Sequence, residues 1–283
     1  MSRITDQLDG AGAQDDTPRR APRAVVATDA TDAEAVWRAL AAGGSLDMAA
    51  RASGPGGVRG LHVPVMSHDA ADDAHVPEGA LMGSYRAHPV FVPDMPAGRV
   101  LLHALRLLEE DALSDVTESA RKDLCAAALG HALAEEARGV AFDARLSEDA
   151  VGAFLARTPG ASAADEQLPP RSTLPPVDAL LVLDAAQGAV VTTHGGLPLV
   201  VTRADRPALL AVASGEHSHS AHILVRVLVT VLDLGQGLQS ALAGLPAEDA
   251  ALAMLLDERG VFQAAGTGGT EVHVQGYERA EAS

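Results

Sequence analysis

The densest group of chemically capable side chains in the sequence is Glu216-His217-Ser218-His219-Ser220-Ala221-His222, with three imidazoles in six residues. Neutral imidazole nitrogens bind zinc and other first-row divalent metals, and a catalytic site commonly uses three protein ligands and leaves a position for water. On an extended strand His217 and His219 would point to the same side, whereas His222 has the opposite parity and needs a turn to join them. If the flanking runs form an up-and-down meander, the His194-Gly195-Gly196 turn lies at the same end and brings His194 close as a fourth ligand. The ion would acidify a bound water and Glu216 would serve as general base, which is the chemistry of a metal-dependent hydrolase or lyase. The plainer reading makes this segment a solvated loop in which histidine and serine are polar filler.

The spacing H-x-H-x-x-H is similar to the front half of the metallo-β-lactamase ligand pattern. Ala221 stands where that family places an aspartate and its later ligands are not evident, so nothing from that family is transferred. A second acidic and imidazole-rich stretch, His68-Asp69-Ala70-Ala71-Asp72-Asp73-Ala74-His75, fits no rigid ligand template and lacks the calcium-hand pattern. Cys125 falls on an apolar helical stripe and reads as a small hydrophobe; His131, six residues on, is about 240° around the helix and cannot activate it. The glycine-rich stretches 54–60 and 266–269 lack the strand-loop-helix order and the GK[ST] ending of a phosphate loop. No G-x-S-x-G elbow is present.

Composition narrows the function classes further. Asp and Glu number 38 against 21 Lys and Arg, a net charge of −17, and only seven residues are aromatic. Such a chain has neither the cationic field nor the stacking platforms that hold nucleic acid. A single cysteine excludes an intrachain disulfide framework and fits a reducing cytoplasm. The first residues contain no apolar stretch resembling a secretion signal. The most apolar run, 223–234, is about half of the ~20 residues a membrane helix needs and contains Arg226 and Asp233.

Along the chain, residues 1–22 read as a polar disordered tail and 23–158 as a mixed, mostly helical unit. Arg23 to Thr28 and Leu61 to Met66 suggest strands, and Ala33, Val36, Trp37 and Leu40 suggest one face of a helix. No firm element emerges between Ser67 and Pro96, where Tyr85 to Val92 is a candidate strand broken by Pro89. From Ala97 onward the helical period is clear: Leu101, Ala104, Leu105 and Leu108 form one stripe, and Cys125, Ala128, Leu129, Ala132 and Leu133 another. A third helix is capped by Ser147, with Val151, Phe154 and Leu155 inward. Residues 159–176 form a proline-rich connector. Beyond it, 177–283 reads as an antiparallel β-meander unit, 178–184, 189–193, 197–202, 208–213 and 222–232, the last run fitting a helix equally well. Pro246, Leu252, Leu255, Leu256 and Gly260 then suggest a helix, and 261–265 with 271–277 a closing hairpin.

The fold expected is therefore α+β: a helical N-terminal half and a mainly antiparallel C-terminal sheet with one or two helices. The function expected first is that of a soluble cytoplasmic, non-catalytic protein acting by protein–protein interaction or self-assembly, with no nucleic acid and no membrane as partner. The alternative is the metal-dependent enzyme, with His217, His219, His222 and His194 as ligands of zinc or another first-row divalent metal and Glu216 as base.

Overall fold

A strand covered on both faces carries apolar residues at successive positions and loses the alternation that marks a half-exposed strand. That situation dominates here. The computed structural model describes residues 23–27, 58–64, 76, 79–156, 178–184, 188–194, 196–203, 206–214, 217–246, 249–256, 262–267 and 271–275. The strands are β1 (Arg23–Ala27), β2 (Val58–Pro64), β3 (Ala80–Tyr85), β4 (His88–Pro93), β5 (Asp178–Asp184), β6 (Gly188–His194), β7 (Gly196–Arg203), β8 (Arg206–Ser214), β9 (Ala251–Leu256), β10 (Phe262–Gly266) and β11 (Glu271–Gln275). They form a six-stranded antiparallel sheet in the order β10-β9-β8-β7-β4-β3 and a five-stranded sheet in the order β11-β1-β5-β6-β2. In the second sheet β1 runs parallel to both β5 and β11, while β6 is antiparallel to β5 and β2. Helices and an antiparallel six-stranded sheet thus occur together, the α+β mixture the sequence implies.

The two sheets pack face to face. Leu61, Val63, Ala179, Leu181, Ala189 and Val191 of the five-stranded sheet meet Phe91, Val200, Leu210, Val212, Leu252 and Met254 of the other. The opposite face of the six-stranded sheet, lined by Val90, Val92, Leu197, Leu199, Val201, Leu209, Ala211, Ala213, Ala251 and Ala253, is covered by helices. Successive residues of β7, β8 and β9 therefore feed two different cores.

Two helices lie directly on that face: α1 (Pro96–Leu108) beside β3 and β4, and α5 (His217–Leu228) on β7 and β8. Pro96 opens α1 where a missing N–H costs nothing. Gly98 permits close packing, since a Cβ there would be driven into the Pro93 carbonyl oxygen and the Val92 side chain. Buried residues run all around α1, from Ala97 to Leu108, because α2 (Glu118–Ala137) covers its other side. Thr117 caps α2 by accepting from the Ala120 N–H at 3.3 Å, and Gly139 follows its end at a positive φ of 66°. The short α3 (Phe142–Arg145) and α4 (Glu148–Leu155) complete an outer layer resting on α1. Ser147 caps α4 as expected, and Val151 is buried, but Leu155 is 41% exposed rather than inward. After α5 the chain passes through a π-helical turn, Val229–Asp233, to α6 (Leu238–Ala243) against β9 and β10.

Several expectations need correction. The run 251–256 is a strand, not a helix: Leu252 and Met254 face the sheet–sheet core while Ala251 and Ala253 face the helices, so its unbroken apolar run reflects two-sided burial. The ambiguous run from residue 222 belongs to a helix. The closing hairpin is absent, because β10 pairs with β9 and β11 pairs with β1 in the other sheet. The single meander is replaced by two hairpins, β5–β6 and β7–β8, in different sheets. Each sheet also draws strands from both sides of 159–176. The proposed tail, the helix through Trp37 and the connector itself lie outside the described residues. No described helix is long and apolar enough to cross a membrane.

Candidate functional site

The histidine segment sits at the start of α5, not in an extended connection. At about 100° per residue, His219 and His222 share one side of the helix while His217 is turned about 200° from His219. The strand parity that would pair His217 with His219 does not apply in a helix. Glu216, and the side chains of His217 and His194, lie outside what is described. The register Gly196↔Ser214 does place the β6–β7 passage at the same sheet end as the β8–α5 connection, so the backbone at His194 approaches this rim. It does so by crossing between sheets rather than by turning within a meander.

What the structure brings to His219 is Asp249. The His219 Nε2 atom lies 2.8 Å from Asp249 Oδ1, with 12% of the imidazole and 2% of the carboxylate side chain exposed. Asp249 is held by its backbone: its N–H donates to the Pro246 carbonyl at 3.0 Å, and its carbonyl accepts from the Thr267 hydroxyl at 2.8 Å. The Ala251 N–H donates to Thr267 Oγ1 at 2.6 Å, and the Ser214 N–H to the Ala250 carbonyl at 2.8 Å, tying the loop to the ends of β8 and β9. Ser214 and Ser220 are buried on the same rim. A carboxylate behind an imidazole fixes its orientation and tautomer, leaving Nδ1 as the nitrogen available to a proton or metal. Sequence reasoning missed Asp249; its only signal was an acidic residue immediately before the apolar run that became β9. Among the described residues no three His, Cys, Asp or Glu side chains converge so as to hold a metal ion. The His68–His75 stretch is outside the described residues.

A second polar constellation joins the β3–β4 hairpin to the helices. Tyr85 donates its hydroxyl hydrogen to Asp233 Oδ2 at 2.5 Å, and Arg86 Nε donates to Asp233 Oδ1 at 2.5 Å. The Arg86 backbone N–H is shared between the Glu109 carboxylate oxygens at 2.8 and 3.0 Å. Its guanidinium also donates to the carbonyls of Glu109 at 2.6 Å, Leu108 at 3.3 Å and Asp111. The Leu108 and Asp111 carbonyls also accept from the backbone N–H groups of Asp111 and Leu113, at 3.2 and 3.0 Å, so the guanidinium adds a second donor to these and supplies one to Glu109 while it neutralises Asp233. Burial and the neighbouring Asp233 hold the Tyr85 hydroxyl well above the usual tyrosine range. The nearby Cys125 thiol is pushed up to about 11, chiefly by burial, so it remains a protonated apolar group at neutral pH.

The hairpin turn itself is strained. Arg86 and Ala87 have φ values of 51° and 60°, the left-handed pair that a two-residue turn requires and that glycine or asparagine usually supplies. Arg86 is retained there by its bonds; Ala87 is exposed. Ala87→Gly is expected to stabilise the protein by about 1 kcal/mol, the relief of left-handed strain exceeding the loss of chain entropy. Urea denaturation checks this, and destabilisation would show that the turn is not left-handed.

No protein-family model matches this sequence, and no curated protein matches it either. The functional reading therefore rests on the molecule's own geometry.

Proposed function

We propose that the protein is a non-catalytic cytoplasmic binding protein, and that it binds a second copy of itself edge to edge along β3. The observation supporting this is the make-up of that edge. Among the described residues β3 pairs only with β4, and Ala80-Leu81-Met82-Gly83-Ser84-Tyr85 contains no charge and no proline, the usual devices that blunt an edge. Leu81 leans on the helix-side core and Met82 on the sheet–sheet core, so the strand is held in place, ready to pair. A twofold antiparallel pairing would fuse two six-stranded sheets into one. Two chains of charge −17 repel at long range, so the contact favours an uncharged strip, and added salt strengthens it.

Light scattering of the purified protein tests the proposal. A dimer that tightens with salt and becomes monomeric in Ser84→Lys, a change at an exposed position of β3, supports it; a monomer at all concentrations overturns it.

A second reading, metal-dependent hydrolysis or a lyase step, draws on the His219–Asp249 pair, whose carboxylate-backed imidazole is the form in which histidine commonly ligates metal. His222 lies one turn along, and His217, His194 and Glu216 remain its further candidates. Metal analysis of untagged protein should then find about one equivalent of a first-row ion, lost in His219→Ala. Protein that carries no metal and takes none up removes this reading.

A further inference from the structure

His103, on α1, is fully buried and neither of its ring nitrogens has a hydrogen-bond partner. Its ring stands edge-on to that of His131 on α2, with centroids 5.5 Å apart, and His131 in turn packs against Phe154 of α4 at 5.4 Å. The other nearby cation is Arg145 of α3, 4% exposed, whose guanidinium donates to Glu136 at 2.6 Å and to the Val140 carbonyl at 2.7 Å. Glu136 also receives Arg99, so its charge is already matched from two sides. His131 lies 3.7 Å from Glu135. Among the described residues the groups whose charge acts on the His103 ring are thus His131, when protonated, and Arg145, and both oppose a proton there. The ring lies at the seam between α1 and the outer helices α2–α4, where Cys125, Ala128, Leu129, Ala132 and Val151 are the buried apolar members from the outer side.

We propose that His103 is an acid-sensitive release for the outer helical layer α2–α4. A proton on this imidazole has no acceptor for either N–H and faces the Arg145 guanidinium and, once it is protonated, the His131 ring. The charged ring is stable only when water reaches it, which requires the outer layer to lift from α1 while the six-stranded sheet stays closed. The folded ring titrates at about 4, lowered from 6.5 by burial, then by His131 and Arg145. The open state takes up its proton near 6.5 and the closed state does not, so closure is fully favoured above that pH and weakens as pH falls toward about 4. One proton corresponds to roughly a tenfold rise in the opening equilibrium per pH unit in that window. Glu136, whose carboxyl is held below its ordinary value by Arg99 and Arg145, contributes at lower pH, outside the window.

Hydrogen–deuterium exchange of the full chain from pH 7 to 3.5, corrected for intrinsic exchange, tests this. The expected result is a loss of protection in 118–155 of roughly tenfold per pH unit below ~6.5, with β7 and β8 unchanged, and a flat profile in His103→Leu, which fills similar space without a proton site. Should that variant not fold, His131→Gln keeps His103 buried and removes one repelling cation, so its loss of protection must level off at a higher pH than in the parent. No pH effect in the parent, the same loss in His103→Leu, an unshifted levelling in His131→Gln, or simultaneous opening of β7 and β8 would each overturn the proposal.

Discussion

Arg86→Ala is expected to cost about 3 kcal/mol, the low end of the usual effect of removing one partner from a buried ion pair, because a quarter of the Arg86 side chain is exposed. The loss has two parts. Asp233, 5% exposed, keeps the Tyr85 hydroxyl but loses its counter-charge, and the Glu109 carbonyl loses its guanidinium donor while those of Leu108 and Asp111 keep only their backbone N–H partners. Arg86→Lys should recover only part of the stability, since an ammonium group cannot span Asp233 and the end of α1 with one planar fork. Urea unfolding of the three proteins gives the comparison. A loss below about 1 kcal/mol for the alanine variant would reduce the cluster to an ordinary surface pair.

Phe91→Ala should be at least as damaging, at about 3–5 kcal/mol. Phe91 is 1% exposed, is the aromatic member of the sheet–sheet core, and sits on β4 where that strand pairs with β7. Its neighbours Val200, Leu210, Leu181 and Val191 are fixed by ladders in two different sheets, so neither side can collapse freely into the space left behind. Phe91→Leu should lose markedly less. Equal losses from both substitutions, or a small loss from alanine, would mean that the sheets do not meet through this ring.

The sequence revealed elements wherever one period dominated. The stripes through Leu101–Leu108 and Cys125–Ala132 and the cap at Ser147 are where the helical pattern implies, because those segments carry an apolar stripe of helical period or a capping hydroxyl. It misled at β9, where two-sided burial coincides with residues that imitate helix ends. Ala251–Leu256 has no alternation to read, and Pro246 and Gly260 looked like helix ends. The hairpin at Arg86-Ala87 is hidden because its turn uses neither glycine nor asparagine, and Pro89 reads as a strand break although the β4–β7 ladder includes only Val90 and Phe91. At the candidate site, the histidine concentration was visible, but its helical setting and its tie to Asp249 were not. The tie spans thirty residues and depends on where β9 begins, which local spacing does not encode.

The register of β1 has a consequence for biosynthesis. Residues 23–27 lie between β5 and β11, so both of their neighbours leave the ribosome long after they do. Until then this stretch must wait without its permanent pairing, a delay that makes maturation slow and the nascent polypeptide a natural client for chaperones.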